Sequence, residues 1–138
     1  LPLKDAITIV RGNGKRKLAV FEDPNCGYCK RFERDLQKVN DVTIHLFLLP
    51  ILSADSAEKS KAVWCAKDKA KAWADLMVRD KPAAAGNCDT SVLARNIEFS
   101  KQHRITGTPT LIFADGTRVP GAISAQQVEQ YLAQAKAP

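Results

Sequence analysis

Apolar residues recur along this chain with two different spacings, and each change of spacing marks a boundary between a strand and a helix. Leu18 to Phe21 is a short apolar run, typical of a buried strand. From Val42 to Leu49, one apolar set at even positions alternates with a mixed set at odd positions, and Pro50 ends the run. This pattern predicts a second, largely buried strand. Between them, apolar residues recur at steps of four, four and three, which predicts a helix with one stripe facing a sheet. The stripe consists of Tyr28, Phe32, Leu36 and Val39. Strand, helix and strand in this order favour a parallel βαβ unit.

An earlier apolar segment, Ala6 to Val10, precedes the turn sequence Gly12-Asn13-Gly14. We expect it to pair across this turn with the strand at Leu18 to Phe21 as an opening hairpin.

The pattern from Ile51 to about Arg104 is helical. Asp55 and Glu58 fit an N-terminal capping box. Small and apolar residues then recur at helical spacing: Ala62, Ala66, Ala70 and Trp73. The stretch from Pro82 to Asn87 interrupts this pattern, and a further helix is predicted from Ser91 to Gln102 after the potential cap Asp89.

The last part of the chain predicts a hairpin and a helix. Thr110 to Phe113 and Arg118-Val119 flank a turn whose Asp115-Gly116 pair supplies positive φ angles. Ser124 and Gln127 form a capping box for the final helix. That helix is predicted to bury Val128, Tyr131, Leu132 and Ala135. The whole order predicts an α/β domain with a helical insert at about 51–104.

With 138 residues, of which 45% are hydrophobic and 26% charged, the chain suits one globular domain, 1–138. It contains no run of eighteen apolar residues, so no membrane-spanning segment is expected. It begins with Leu1 rather than Met and carries no signal peptide, which is typical of a processed or trimmed product.

The net charge is +6, and four basic residues lie around the Gly12-Asn13-Gly14 turn: Arg11, Lys15, Arg16 and Lys17. We interpret them as the solvated flanks of a hairpin. A nucleic-acid surface is the alternative, but no aromatic residues interleave with these charges and no binding motif accompanies them. No nucleic-acid partner is therefore predicted.

Cys26-Gly27-Tyr28-Cys29 follows the buried strand and the turn Asp23-Pro24-Asn25, and it opens the predicted helix. Cys26 occupies the first turn, where unpaired N–H groups and the helix dipole stabilise a thiolate. Cys29 lies on or beside the apolar stripe. Cys26 is therefore the expected accessible nucleophile, and Cys29 the thiol that resolves a mixed disulfide.

Two other interpretations of the CxxC remain open at this point, a zinc half-site and a purely structural Cys26–Cys29 bridge. The remaining cysteines, Cys65 and Cys88, form no second CxxC knuckle, so no metal site is predicted. Four cysteines in two separate pairs suit an oxidising compartment.

A strand leading into a CxxC at a helix start, followed far along the chain by Gly107-Thr108-Pro109-Thr110 and a hairpin, resembles the thioredoxin superfamily. More narrowly, four motifs look like the catalytic domain of bacterial periplasmic disulfide isomerases of the DsbC/DsbG type, and Gly27-Tyr28 is nearer to DsbC. The motifs are Phe21 to Cys29, Trp64-Cys65, Cys88-Asp89 and Thr106 to Pro109.

The resemblance implies a thioredoxin-like α/β fold with a central mixed β-sheet flanked by helices. It implies that Cys26 and Cys29 are the catalytic redox pair and that Cys65 and Cys88 form a structural disulfide. Substrate would be bound by Thr108, a cis Pro109, Gly27 and Tyr28. Thioredoxin places a buried acid where this chain has Val20, so a proton relay of that kind is absent. Substitution by Glu22 or Asp23 is the alternative, but we interpret both as ordinary turn residues.

The implied function is thiol–disulfide interchange that isomerises or reduces non-native disulfides of exported proteins in the periplasm, without cofactor or metal. A membrane reductase of the DsbD type would supply electrons. Such isomerases carry an N-terminal dimerisation domain and are homodimers, whereas this chain has no room for that domain and is expected to be a monomer. A DsbA-like oxidase, a specialised reductase and a chaperone-like binding module with an incidental dithiol remain alternatives.

Overall fold

The computed structural model describes residues 1–135, so 136–138, the last residues of the predicted domain, lie outside the described part. The strands are β1 (Ile7–Arg11), β2 (Arg16–Glu22), β3 (Val42–Leu48), β4 (Thr110–Phe113) and β5 (Arg118–Pro120). The helices are α1 (Gly27–Leu36), α2 (Ala54–Trp64), α3 (Lys69–Arg79), α4 (Ser91–Gln102) and α5 (Ala125–Gln134). None of the helices described is long and apolar enough to cross a membrane.

The strands form one mixed sheet in the order β1-β3-β2-β4-β5. β2 runs parallel to β3, so the predicted βαβ unit is confirmed. β4 pairs antiparallel with β2, and β5 antiparallel with β4. The predicted hairpin near the end of the chain is therefore also confirmed, and β2 lies at the centre of the sheet.

The predicted opening hairpin is wrong. β1 pairs antiparallel with β3, with Ile7 opposite Leu46, and β3 separates it from β2. The turn between β1 and β2 is bonded to the residues around the start of β3: Asn13 N–H donates to Asp41 Oδ1 at 2.9 Å, and Thr43 donates to the Gly14 carbonyl at 2.6 Å. The turn therefore connects β1 on one edge of β3 to β2 on its other edge, and β1 and β2 do not pair with each other.

The two faces of β2 meet different layers. Leu18 and Val20 point into the larger core, which α1, α3 and α5 cover. Ala19 and Phe21 point to the opposite face, where Phe21 stacks on Phe47 with ring centroids 4.6 Å apart. α4 contributes to both cores, and its later residues pack on this second face. Strict alternation along β2 thus decides which side chains meet the underside of α1.

The helical insert differs from the sequence pattern in two places. Ser53, not an Asp55–Glu58 box, caps α2 by accepting the Ser56 N–H. α2 ends at Trp64, and α3 begins after its own cap, Asp68. The residues from Ala62 to Trp73 that recur at helical spacing therefore belong to two helices and not to one. α4 occupies the predicted range, and the Ser124–Gln127 capping box of α5 is present.

Candidate active site around Cys26

The site begins where β2 ends. The carboxylate of Asp23 accepts the Asn25 N–H at 2.8 Å, and its carbonyl accepts the Cys26 N–H at 3.1 Å. An aspartate that bonds its own backbone two residues on closes a tight turn. This turn delivers Cys26 directly to the start of α1.

Cys26 is the N-cap of α1 instead of a residue in its first turn. Its Sγ accepts the backbone N–H of Cys29 at 3.1 Å, so sulfur performs the role that an oxygen performs in most N-caps. On its other side, Sγ lies 3.5 Å from the carbonyl oxygen of Thr108. The cysteine was expected to be accessible, but it is only 6% exposed because the Thr108 loop covers it.

Cys29 lies on the buried face of α1 and has no exposed surface. Burial raises the pKa of its thiol far above the ordinary value, and the neighbouring charge of Glu22 raises it further. Both Cys26 and Cys29 are free thiols. Of the two thiols, only Cys26 can therefore be reached by a partner molecule. Cys29 can react only with a disulfide in which Cys26 takes part.

The two residues between the cysteines are exposed. Tyr28 was predicted to belong to the apolar stripe, yet it is 63% exposed and carries Arg31 5.1 Å above its ring. Cys29, three residues before the buried Phe32, takes its place on the buried face. Apart from the adjoining residues and the backbone of α1 itself, no atom of the described residues lies within 4 Å of the position where a side chain at Gly27 would start. The entrance above Cys26 is thus open on this side.

Thr108 and Pro109 form the opposite wall, and the peptide bond between them is cis. The Pro109 carbonyl accepts the Gly121 N–H at 2.8 Å, which fixes the loop to the residues after β5. Within the described part of the chain, the Thr108 N–H makes no hydrogen bond. A groove of about 350 Å³ runs along this loop between Arg104 and Pro120.

Asp23 also connects the turn to the loop between β3 and α2. Its Oδ2 accepts the N–H groups of Ile51 and Leu52 at 2.8 and 2.9 Å. Ile51 is 41% and Leu52 57% exposed, so this carboxylate holds two exposed apolar residues close to the CxxC turn. Sequence reasoning assigned Asp23 to the turn but did not find this second contact, because its partners lie far along the chain.

Asn25 makes a further connection to α2. Its amide donates to Asp55 Oδ2 at 2.9 Å, and its carbonyl oxygen accepts from Lys59 Nζ at 2.7 Å. The bond from Asn25 and the ion pair with Lys59 lower the pKa of Asp55. The first helix of the insert is therefore bonded to the turn that carries Cys26.

Glu22 was interpreted as a turn residue, and this is wrong. It is the last residue of β2, has no exposed surface, and neither carboxylate oxygen has a hydrogen-bond partner among the described residues. The alternation Leu18, Val20, Glu22 would have placed it on the face beneath α1. Glu33, at 3% exposure, lies on the same face of α1 as Cys29, one turn further on.

Cys65 and Cys88 are bonded to each other, with their Cα atoms 5.6 Å apart. The bond joins the end of α2 to the segment before α4. At Gly86 a side chain would begin 2.7 Å from the Cβ of Cys65, so only glycine lets the backbone pass this close. The disulfide lies in the helical insert and leaves Cys26 and Cys29 as the free pair.

Comparison with known proteins identifies relatives over nearly the whole chain. A family model described as a thioredoxin-like domain matches residues 3–136. The chain is 44% identical to the probable thiol:disulfide interchange protein DsbC of Bordetella parapertussis, over 96% of this chain and 47% of that protein. It is 32% identical to the thiol:disulfide interchange protein DsbC of Escherichia coli K12, over 94% of this chain and 56% of that protein.

Among solved structures, a disulfide interchange protein from Neisseria gonorrhoeae superposes with a TM-score of 0.93 at 40% identity, and each chain is covered completely. The catalytic domain of Proteus mirabilis ScsC superposes with a TM-score of 0.75 at 26% identity, over 95% of this chain and 89% of that one. The chain spans about half the length of the curated relatives it matches.

Proposed function

The chain belongs to the thioredoxin-like domain family, and from this premise we propose that it catalyses thiol–disulfide exchange on exported proteins through Cys26 and Cys29. One observation carries the proposal: a free thiol caps a helix, bonds the backbone of a buried second thiol, and faces the Thr108 carbonyl. The names of its DsbC relatives support the same reaction.

In the proposed reaction the Cys26 thiolate attacks one sulfur of a substrate disulfide. A bond forms between Cys26 and that sulfur, and the other substrate sulfur leaves as a thiolate. If a substrate thiol then displaces Cys26, the substrate is isomerised and the protein is unchanged. If Cys29 displaces the substrate, a Cys26–Cys29 disulfide forms, and two electrons have passed to the substrate.

The unpaired Thr108 N–H is the group that would hold substrate. An extended peptide can bond to it by strand addition, which places the peptide along the Thr108-Pro109 loop. Gly27 and Tyr28 would contact the peptide from the α1 side, because both are exposed next to Cys26. These are the substrate-binding roles we assign to Thr108, Pro109, Gly27 and Tyr28.

We propose further that residues 1–138 are the single catalytic domain of a longer periplasmic protein. Its N-terminal dimerisation domain would make the natural protein a homodimer, whereas the chain alone would be a monomer. A membrane reductase of the DsbD type would return the Cys26–Cys29 disulfide to dithiol. The length of the DsbC relatives supports the longer protein.

Reduction of insulin by the chain with dithiothreitol as electron source tests the chemistry. We expect activity in the wild-type chain, none in Cys26→Ser, and trapped mixed disulfides with Cys29→Ser. Activity that survives in Cys26→Ser would contradict the proposal and favour a binding module with an incidental dithiol.

Refolding of a scrambled multi-disulfide protein tests the isomerase step. We expect the isolated chain to isomerise poorly, because two linked catalytic domains raise the effective concentration of the second site and a lone domain lacks it. Equal recovery by the chain and by its longer natural form would refute this. A strongly oxidising reduction potential would favour a DsbA-like oxidase.

A further inference from the structure

Two arginines border the groove along the Thr108-Pro109 loop, and the exchange steps above do not use them. Arg104 lies between α4 and this loop, and Arg118 lies on β5. Both side chains are exposed, and both line the groove of about 350 Å³. None of the other described residues that line this groove is charged. The groove is therefore bordered by positive charge alone.

Neither of these charges is balanced by an acidic side chain. Among the described residues, Arg104 and Arg118 form no ion pair, whereas Arg79 and Arg95 each contact an aspartate. Arg118 Nη2 donates to the His103 carbonyl at 2.7 Å, a neutral partner next to Arg104 in the chain. This bond holds the two like charges on one side of the molecule. A bound anion would relieve their repulsion.

The backbone at Arg104 gives a second reason to look for a role of its side chain. This residue follows His103, the C-cap of α4, and its φ angle is 54°, in the left-handed region. Glycine is favoured at such a position because it has no Cβ. The other non-glycine residues with positive φ in the described part are Asp41 and Asp80, whose short polar side chains tolerate it better. The end of the helix therefore does not itself favour an arginine here.

The groove lies outside the site around Cys26 but adjoins it. Thr108 and Pro109 line the groove, and the Thr108 carbonyl lies 3.5 Å from Cys26 Sγ. Arg104 precedes Thr108 by four residues, a length of chain that spans at most about 14 Å when extended. A peptide that pairs with the loop while its cysteine reacts with Cys26 can therefore bring neighbouring side chains to the arginines.

We propose that Arg104 and Arg118 form a cationic subsite that selects substrate segments with an acidic side chain within about four residues of the reactive cysteine. This inference rests on the proposed exchange reaction of Cys26, and it names the class of polypeptide segment that reacts fastest. The occupant is acidic because the groove carries positive charge alone. It is a segment of the substrate because the groove shares Thr108 and Pro109 with the loop to which we assign substrate binding.

The chemistry of arginine suits this role. A guanidinium can donate two parallel hydrogen bonds to one carboxylate, which fixes the orientation of the acidic side chain. Both arginines are exposed, so water and salt weaken the attraction. The subsite should therefore raise the rate of capture by a modest factor that depends on salt.

The test measures capture of short peptides whose single cysteine is held in a mixed disulfide with thionitrobenzoate. In the Cys29→Ser chain, the Cys26 thiolate attacks the peptide sulfur, a Cys26–peptide disulfide forms, and thionitrobenzoate leaves as a coloured thiolate. Attack on the other sulfur releases the peptide thiol and leaves thionitrobenzoate on Cys26, so it gives no signal. Three peptides carry Glu, Gln or Lys near the cysteine, in one series before it and in another after it. Each rate is divided by that of 2-mercaptoethanol with the same peptide, which corrects for the reactivity of the peptide disulfide.

At low salt we expect the Glu peptide of at least one series to react about fivefold faster than its Gln counterpart, the upper range for an exposed ion pair. The Lys peptide should react more slowly than the Gln peptide. The preference should largely disappear in about 1 M salt, where the Debye length is about 3 Å.

Charge variants in the Cys29→Ser chain assign the effect to the groove. Arg104→Gln combined with Arg118→Gln should abolish the preference for Glu, and Arg104→Glu should shift it towards the Lys peptide. The matched control combines Lys15→Gln with Lys67→Gln, two exposed cations outside the groove. It lowers the net charge by the same amount and should keep the preference.

Equal rates for the Glu and Gln peptides in the parent chain would overturn the proposal. So would a preference that survives in the double arginine variant, or one that falls as far in the lysine control, because it would then come from net charge. If loss of the Arg118 contact with His103 disturbs the fold, Arg104→Gly decides the question. Glycine suits the left-handed backbone, so its urea midpoint should not fall, while the preference should decrease. Failure of the proposed function is distinguishable, because no peptide of any charge would then release thionitrobenzoate.

Discussion

Substitution of Asp23 by Asn should destabilise the fold far more than the loss of one surface charge. The Asn side chain has one acceptor oxygen, so it can accept either the Asn25 N–H or the N–H groups of Ile51 and Leu52, and its NH₂ group then faces the remaining N–H donor or donors. Hydrogen bonds to charged groups contribute about 1.5–3 kcal/mol each. In either orientation at least one such bond is lost and a donor is set against a donor beside a buried side chain, so we expect a loss of about 3 kcal/mol.

Urea unfolding followed by tryptophan fluorescence measures this loss, because Trp73 is buried beneath the sheet. The matched control is Asp115→Asn in the turn between β4 and β5. There the carboxylate accepts one backbone N–H, from Thr117 at 2.9 Å, and Asn can still accept it. We expect the control to change the unfolding free energy by no more than about 0.5 kcal/mol.

A loss below about 1 kcal/mol in Asp23→Asn would refute the reasoning. It would mean that the loop carrying Ile51 and Leu52 is not held by Asp23. A large loss in Asp115→Asn as well would indicate a general effect of charge instead of the specific double acceptor.

Three further predictions concern the cysteines and pH. Replacing Cys65 and Cys88 by Ser opens a loop with a sequence separation of 23 and should lower the unfolding free energy by roughly 3 kcal/mol, measured by urea titration of oxidised chains. Iodoacetamide followed by peptide mass mapping should modify Cys26 before Cys29, which are 6% and 0% exposed, and the reverse order would contradict the assigned roles. Burial lowers the pKa of His45, so the unfolded chain binds its proton first and stability should fall as the pH drops below about 6.5; His45→Leu should reduce this fall.

Local patterns in the sequence predicted most elements because period and capping act within a few residues. The βαβ unit, α4, the late hairpin and the α5 cap all follow from such patterns and are present. The partner of β1 could not be derived in this way. A turn signal such as Gly12-Asn13-Gly14 favours pairing of the two strands that flank it. In the structure β3 lies between β1 and β2 and pairs with both, and no local pattern indicates this.

The candidate site divides in the same way. Cys26 at a helix start could be predicted from the strand, turn and helix around it. The Cys65–Cys88 bond and the place of Thr108 and Pro109 came from the family resemblance, since no local pattern brings such distant residues together. Glu22 was missed because a charged residue after a strand was read as a turn residue, although alternation along β2 indicated the buried face.

Among the strands described, β1 waits longest during synthesis for its first neighbour. Its residue Ile7 leaves the ribosome well before its partner Leu46, which emerges only after β2, α1 and most of β3. Until then the apolar residues of β1 are unpaired and remain available to chaperones or to other nascent chains. Sheet assembly should therefore start from the β2–α1–β3 unit and add β1 to its edge. β1 is thus made before β2 and β3 but joins the sheet after them.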